Sequence, residues 1–495
     1  MAALISMDRW QNMNLKSVSA APVDKLPATV LMIIGAYLVL APVWYPGLAP
    51  RLFDDARYVQ LAFLVPILAL MCCGPLNTVV VEVWEDLSRR TRALLITLFM
   101  AGFVSAVVSN KPELGALELA LMMQIVLLIL LVAALVRQIG DHAQPLLALA
   151  VTAGALLCVL KFAVQFTSFA IERKSFPWIS PFLDFSNVRF FSQYQAYTLL
   201  LMVLPTLLFE LRRGMRLMVL ALSSCFWAMH WMVGTRAAWV GLFVALIAVM
   251  AMSGRQRFGW LKLQTVPIFA GGAIFLIFSL LVQHLPRAVT VPGVRSIVER
   301  DQGSINERLE LARIAVNGIY MRPFTGVGPG QFGLQSYELN PAHPHNVPLQ
   351  LLSEYGIPAG MAAIALGFIL WGFALKCLQS KTPSQKMIDA SLAGALTMGL
   401  TDAMFSGNLI MPHAQMVFCV LTGWILGRNL GTRVLAVSSA DASGKGQFLL
   451  VAVTLTAVGV TSVLAIEYLP LAREIPYQFE RWNPHFWQYG HFSDW

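Results

Sequence analysis

Charge is what this sequence has least of. Charged residues fill 12% of its 495 positions and hydrophobic ones 57%, whereas a soluble globular protein is about a quarter charged. That scarcity excludes an ordinary water-soluble domain. Cysteine is also scarce. The six, Cys72, Cys73, Cys158, Cys225, Cys377 and Cys419, all fall in or beside apolar runs, so no disulfide framework or cysteine–zinc cluster is expected in the long polar segment. The outside loops lack an Asp-X-Asp pair, which argues against an enzyme that holds a nucleotide sugar through a metal. The first 26 residues lack the short apolar core and small-residue cleavage site of a secretory signal, so the first apolar run is expected to be retained. No internal repeat and no Pro/Gly/Ser linker divides the chain.

Long apolar runs are what the sequence has instead. They recur from 27–45 to 447–466, each about the length that crosses a hydrocarbon layer. Lipid leaves helices as the workable form for such runs. The expectation is an all-α, polytopic integral membrane protein of about 12–13 transmembrane helices. It divides into N-terminal membrane helices over 1–284, a large loop over 285–345, C-terminal membrane helices over 346–468, and a tail over 469–495. The formal net charge of +9 does not point to nucleic acid. Basic residues concentrate in alternate short loops, among them Arg89, Arg90 and Arg92, then Arg212, Arg213 and Arg216, then Lys376, Lys381 and Lys386. With the N-terminus inside, this alternation obeys the positive-inside rule. It places the 285–345 loop and the tail outside.

The residues able to do chemistry gather on that outside face. His343 and His345 stand in Pro341-Ala-His-Pro-His-Asn346, at the mouth of the run that begins at 347. Histidine has the unperturbed pKa nearest neutrality and suits a general base. Asn346 fits an orienting or substrate-bonding role. Alternate histidines can also hold zinc, but a site needs three or four close ligands, and only Glu338 and Glu354 stand near. Arg236 lies between two apolar runs, where it either snorkels to headgroups or forms an anion site. Arg308 and Arg313 lie on an amphipathic segment, 304–320, with a stripe of Leu309, Ala312, Ile314, Val316 and Ile319 and a capping box of Ser304 and Glu307. A surface ion-pair network and a ligand contact both fit them. Arg189 sits in the polar, aromatic entry to a span at 193–209. Asp402 and His413 flank an outside turn and fit the same cavity, while Lys161 lies in a span and attaches to no motif. Gly326-Val-Gly-Pro-Gly330 lacks the strand–loop–helix setting and the Lys-Ser/Thr pair of a phosphate loop. It reads as a turn.

Taken in order, Gly234-Thr-Arg-Ala-Ala-Trp239, Arg308-Leu-Glu-Leu-Ala-Arg-Ile-Ala315, Pro323–Phe332 and His343-Pro-His-Asn-Val-Pro-Leu-Gln-Leu-Leu-Ser-Glu-Tyr-Gly356 resemble the O-antigen ligase superfamily of bacterial inner membranes. That superfamily takes in O-antigen ligases, some O-antigen polymerases and pilin O-oligosaccharyltransferases. Its pattern of His-Asn, nine residues, Gly-X-X-Gly is met at His345, Asn346 and Gly356. It departs at Ala359, with the glycine one place later at Gly360. The resemblance implies a GT-C-like inverting glycosyltransferase that needs no metal or other cofactor. It would work on the periplasmic side of the inner membrane, with a cytoplasmic N-terminus. The donor it implies is a glycan on undecaprenyl diphosphate, with Arg236 and Arg308 on the diphosphate and His345 on the acceptor hydroxyl. The acceptor is lipid A–core, pilin Ser/Thr or another lipid-linked glycan. The absence of a C-terminal helical-repeat domain leans toward ligation to lipid A–core. The bilayer is the other expected partner. A transporter is the competing class, but it calls for broken, polar mid-membrane helices in two matching halves, whereas these polar residues cluster at one face.

Overall fold

The structure, a computed structural model, describes residues 25–49, 51–172, 180–252, 257–283, 303–335, 343–379, 382–430 and 444–474. The basic residues Arg9 and Lys16, the Pro177–Trp178 segment, Glu338 and the aromatic tail past 474 lie outside these residues.

Among the described residues there is no strand. The main helices are α1 (Lys25–Leu40), α2 (Leu52–Met71), α3 (Gly74–Asp86), α4 (Arg89–Val107), α5 (Pro112–Ile139), α6 (Ala143–Ile171), α7 (Val188–Thr198), α8 (Arg213–Val233), α9 (Arg236–Met252), α10 (Arg257–Gln283), α11 (Gly303–Met321), α12 (Val347–Lys376), α13 (Pro383–Ala403), α14 (Pro412–Asn429) and α15 (Gly444–Glu474). Seven helical stretches among them are long and apolar enough to cross a membrane, Pro112–Ile171, which runs through α5, a 3-10 turn and α6, counting once. Large apolar side chains point outward from α4 (Met100, Phe103), α10 (Phe269, Leu281) and α15 (Phe448, Ile466), each more than half exposed. A water-soluble protein would not leave such bands bare. Hydrocarbon is the environment that fits them. The chain is an all-α, multi-pass membrane protein.

Three elements differ from the sequence expectation. The run at 193–209 is not one helix. It is the end of α7, a tight 3-10 turn at Leu199–Leu201 and one turn at Pro205–Leu208, since Pro205 cannot donate a helical hydrogen bond. A helix not foreseen, α3, follows α2 at a bend of 92°, where Gly74-Pro75 starts a new helix with proline in its first turn. The last helix continues to Glu474, six positions into the expected tail.

The core is close-packed where glycine permits. A Cβ on Gly241 of α9 would come within 2.5 Å of the Met398 carbonyl oxygen of α13, and one on Gly423 of α14 within 2.6 Å of Val132 of α5. These contacts bring α9 against α13 and α14 against α5. Three ion pairs stand inside the bundle. Arg137 bonds Asp86 at 2.7 Å, Arg428 bonds Asp389 at 2.9 Å, and Lys161, which the sequence tied to no motif, pairs with Asp184.

Candidate active site

The site is assembled at the N-termini of α7, α9 and α12. The chain enters α9 through Gly234, which takes φ +59° and caps α8 by donating its N–H to the His230 carbonyl at 3.1 Å. Only glycine adopts that left-handed geometry freely. The reversal leaves Arg236 exposed in the first turn of α9, while Trp239 folds back on Trp231, ring centroids 4.3 Å apart. Thr235 bonds Ser192, which ties this turn to α7. There Asn187 caps the helix by accepting from the Arg189 N–H at 2.9 Å, and the Arg189 side chain is exposed.

The loop helix α11 docks on α12 and supplies Arg308. Its buried face is Leu311, Ala315 and Gly318, packed with Ile314 around Leu349 and Phe332. This corrects the expected stripe: Leu309 and Val316 are 53% exposed. The buried positions recur at i, i+4 and i+7, so the contact face is rotated about the helix axis from the one the periodicity suggested. The helix begins at Gly303, one residue before the serine of the expected cap.

The glycine-rich turn after α11 has a mechanical role. The Val327 N–H donates to the Ser353 carbonyl at 2.9 Å, Gly328 N–H to the Glu354 carbonyl at 3.0 Å, and Ile357 N–H to the Pro323 carbonyl at 2.8 Å. These bonds satisfy backbone groups freed where α12 kinks at Gly356, φ +77°. A Cβ on Gly360 would stand 2.8 Å from the Leu352 Cα. The glycine therefore sits one place later than in the family pattern because this position faces the inside of the kink, while Ala359 is fully buried beside it.

His345 precedes α12 with φ +53°, and its ring is half-buried. Burial, with the positive charges of Arg308 and Arg189 behind it, pushes its pKa down to about 4. The Arg308 guanidinium, on the loop helix, is also held below its ordinary value. Burial is the largest cause, and the charges of Arg189, Glu307, Arg236 and Asp402 act on it as well. Arg189, Arg236 and Arg308 thus share one field, with His345 inside it. Asp402 is buried and accepts from Ser406 Oγ at 2.6 Å and Asn408 Nδ2 at 3.0 Å. Its charge acts on Arg308 together with that of Glu307.

The other sequence candidates are held in different ways. Asn346 caps α12, accepting from the Leu349 N–H at 2.8 Å while its Nδ2 donates to the Met404 carbonyl at 2.9 Å. His343 is buried, 3% exposed, and touches His345 edge to face with ring centroids 4.4 Å apart. Arg313 pairs with Glu310 at 3.1 Å on the open face of α11. The structure ties His413 to the Asp184 carbonyl at 3.3 Å and the Phe185 ring, not to the arginine cluster. Sequence reading missed His230, which bonds Gln195 at 3.1 Å beside Trp239. It also missed the Ser192–Thr235 bond, which no local motif announces. Among the described residues, no group of three or more His, Cys, Asp or Glu stands close enough to hold a metal ion.

Below His345 lies an apolar cavity of about 560 Å³ between α4, α5, α12 and α14. Leu98, Met122, Ile125, Leu366 and Phe373 line it. Val347, Gln350 and Glu354 close the end next to the histidine segment.

A multi-pass helical membrane protein, with Arg308 and Arg189 acting on a half-buried histidine before a membrane helix, is what fold and site define. Residues 218–364 match the family model described as O-antigen ligase, a stretch that carries Arg236, Arg308, His345 and Gly356. The match supports membership of the O-antigen ligase superfamily, membrane glycosyltransferases of the ligase and polymerase type. No curated protein matches the chain.

Proposed function

We propose that this protein is a metal-independent, inverting glycosyltransferase of the inner membrane. It moves a glycan en bloc from undecaprenyl diphosphate to lipid A–core at the periplasmic face. The observation that carries the reading is that the charges of Arg308 and Arg189 both act on His345, while Arg236 acts on Arg308. Guanidinium groups stay charged and fork onto phosphate oxygens, so this field suits a diphosphate. Bond cleavage puts further negative charge on the leaving diphosphate. Groups fixed in advance stabilise that charge without reorganising.

Without donor, His345 is a weak base, because burial first and then the charges of Arg308 and Arg189 oppose its protonation. A bound diphosphate offsets the arginine charges and so raises the proton affinity of the ring. The base therefore strengthens when donor is in place. Its ring takes the proton from the acceptor hydroxyl as that oxygen attacks the anomeric carbon. The bond from that carbon to the phosphate oxygen breaks on the opposite side, and the electron pair leaves with the lipid diphosphate. The apolar cavity that begins at Val347 suits the isoprenoid chain of the carrier.

The test is transfer in a host that makes lipid-linked O-antigen, comparing wild type with His345→Ala and probing both lipopolysaccharide and pilin. Glycan on lipid A–core with wild type and none with His345→Ala is the expected result. Glycan on pilin alone replaces the acceptor, longer lipid-linked glycan points to a polymerase, and no product with wild type sinks the transferase reading.

A further inference from the structure

We propose that His343 is the positioning residue of the site: its imidazole fixes the backbone of His345 and so aims the second ring at the arginines. The inference rests on the reading of His345 as the base. His345 is one of two non-glycine residues with positive φ among those described, Ser186 being the other. A side chain in that region is disfavoured and persists where its surroundings over-determine it. Here the surroundings are identifiable. The His345 backbone N–H donates to His343 Nδ1 at 3.2 Å. The accepting nitrogen must be unprotonated, so a neutral His343 carries its proton on Nε2.

The His343 ring is itself held by the turn between α13 and α14. A Cβ on Gly407 would come within 2.5 Å of its Cε1 and 2.8 Å of both ring nitrogens. That turn is braced by Asp402, which accepts from Ser406 and Asn408. Asn346 Nδ2 bonds the same turn at Met404. Residues 343 and 346 are thus pinned on either side of His345. The role of His343 is orientation.

The test uses the full chain in vesicles with an undecaprenyl-diphosphate glycan and lipid A–core. His343→Ala is expected to lower kcat by about 10²-fold, the loss that a 1 Å misplacement can bring, while the donor KM stays near wild type because the arginines still hold the diphosphate. His343→Asn, whose amide oxygen can accept the same N–H, is expected to recover part of the loss. Gly407→Ala is expected to act like His343→Ala by displacing the ring. The double variant His343→Ala/Gly407→Ala is expected to fall no further than either single one, since the clashing ring is gone. Multiplicative losses in the double variant, or no recovery with Asn, overturn the inference. An inactive His345→Ala beside an unimpaired His343→Ala sinks the positioning role alone. A fully active His345→Ala sinks the base assignment on which it rests.

Discussion

Gly326 and Gly356 meet backbone to backbone. A Cβ built on Gly326 would stand 2.5 Å from the Gly356 nitrogen, and one built on Gly356 would stand 2.9 Å from the Gly326 nitrogen. Both have positive φ, +67° and +77°. This seam joins the loop helix that carries Arg308 to the helix that His345 precedes. It therefore sets the distance between the proposed anion-binding group, Arg308, and the proposed base, His345.

Gly356→Ala is expected to cost stability and activity together. The new methyl would also lie 2.4 Å from the Phe324 carbonyl oxygen, and alanine at this φ is strained by about 1–3 kcal/mol before any clash. Gly367→Ala, in the same helix with nothing within 4 Å of its Cβ, is the control and should be neutral or stabilising by up to about 1 kcal/mol. Thermal unfolding in detergent and transfer rates on both variants check this. Equal stability of the two variants would remove the seam from the account.

Arg308→Gln is expected to shift the acid limb of kcat/KM upward in pH. Burial and two guanidinium charges hold His345 down at about 4 in the free enzyme. The neutral, working form is lost as pH falls through that value. Removing one positive charge lets the ring keep its proton at higher pH, toward the ordinary 6.5. The profile of kcat/KM reports free-enzyme groups, so the limb should move up even though the rate also falls by about 10²–10³-fold. A limb that stays in place or moves down would show that Arg308 does not face His345.

Much of the architecture was legible because lipid imposes long apolar runs on the sequence. The helix starts at Arg236 and Val347 agree with where those runs begin. Arg236, Arg308, His345 and Gly356 stood out through the family resemblance, since composition and spacing alone left Arg236 and Arg308 open between a surface role and a ligand contact. What was not legible is tertiary. The rotated face of α11 depends on Leu349 and Phe332, and the contact of Gly407 with His343 joins residues 64 positions apart. The sharp entry into α3 had a local signal in Gly74-Pro75 that apolar counting overlooks. His413 looked like a site residue because it flanks an outside turn, but its partner is Asp184.

Arg313→Ala is expected to leave both stability and transfer near wild type. Its guanidinium is 65% exposed and pairs with Glu310 three residues earlier, an arrangement worth about 0–0.5 kcal/mol on an open helix face. Arg308, five residues before it on the same helix, is instead coupled to Arg189 and Arg236. A paired comparison of Arg308→Ala and Arg313→Ala separates the two: donor KM and kcat should change only in the first. A large loss with Arg313→Ala would place the donor across the open face of α11.

Gly367→Trp is expected to act on the lipid part of the donor alone. Gly367 lines the apolar cavity, and a Cβ there meets open space, so the indole can extend into the volume without displacing backbone. Tryptophan is also a better helix former than glycine, which protects the fold from the substitution itself. Loss of even four buried methylenes of the carrier chain costs about 3 kcal/mol, at about 0.8 kcal/mol each, or on the order of 10²-fold in binding. KM for the full undecaprenyl donor should rise accordingly, with kcat changed less, because Arg308 and His345 are untouched. A donor with a chain too short to enter the cavity should show the same KM in wild type and variant. An equal penalty on both donors would mean that the indole disturbs the anion site, and no penalty on either would mean that the carrier chain lies elsewhere.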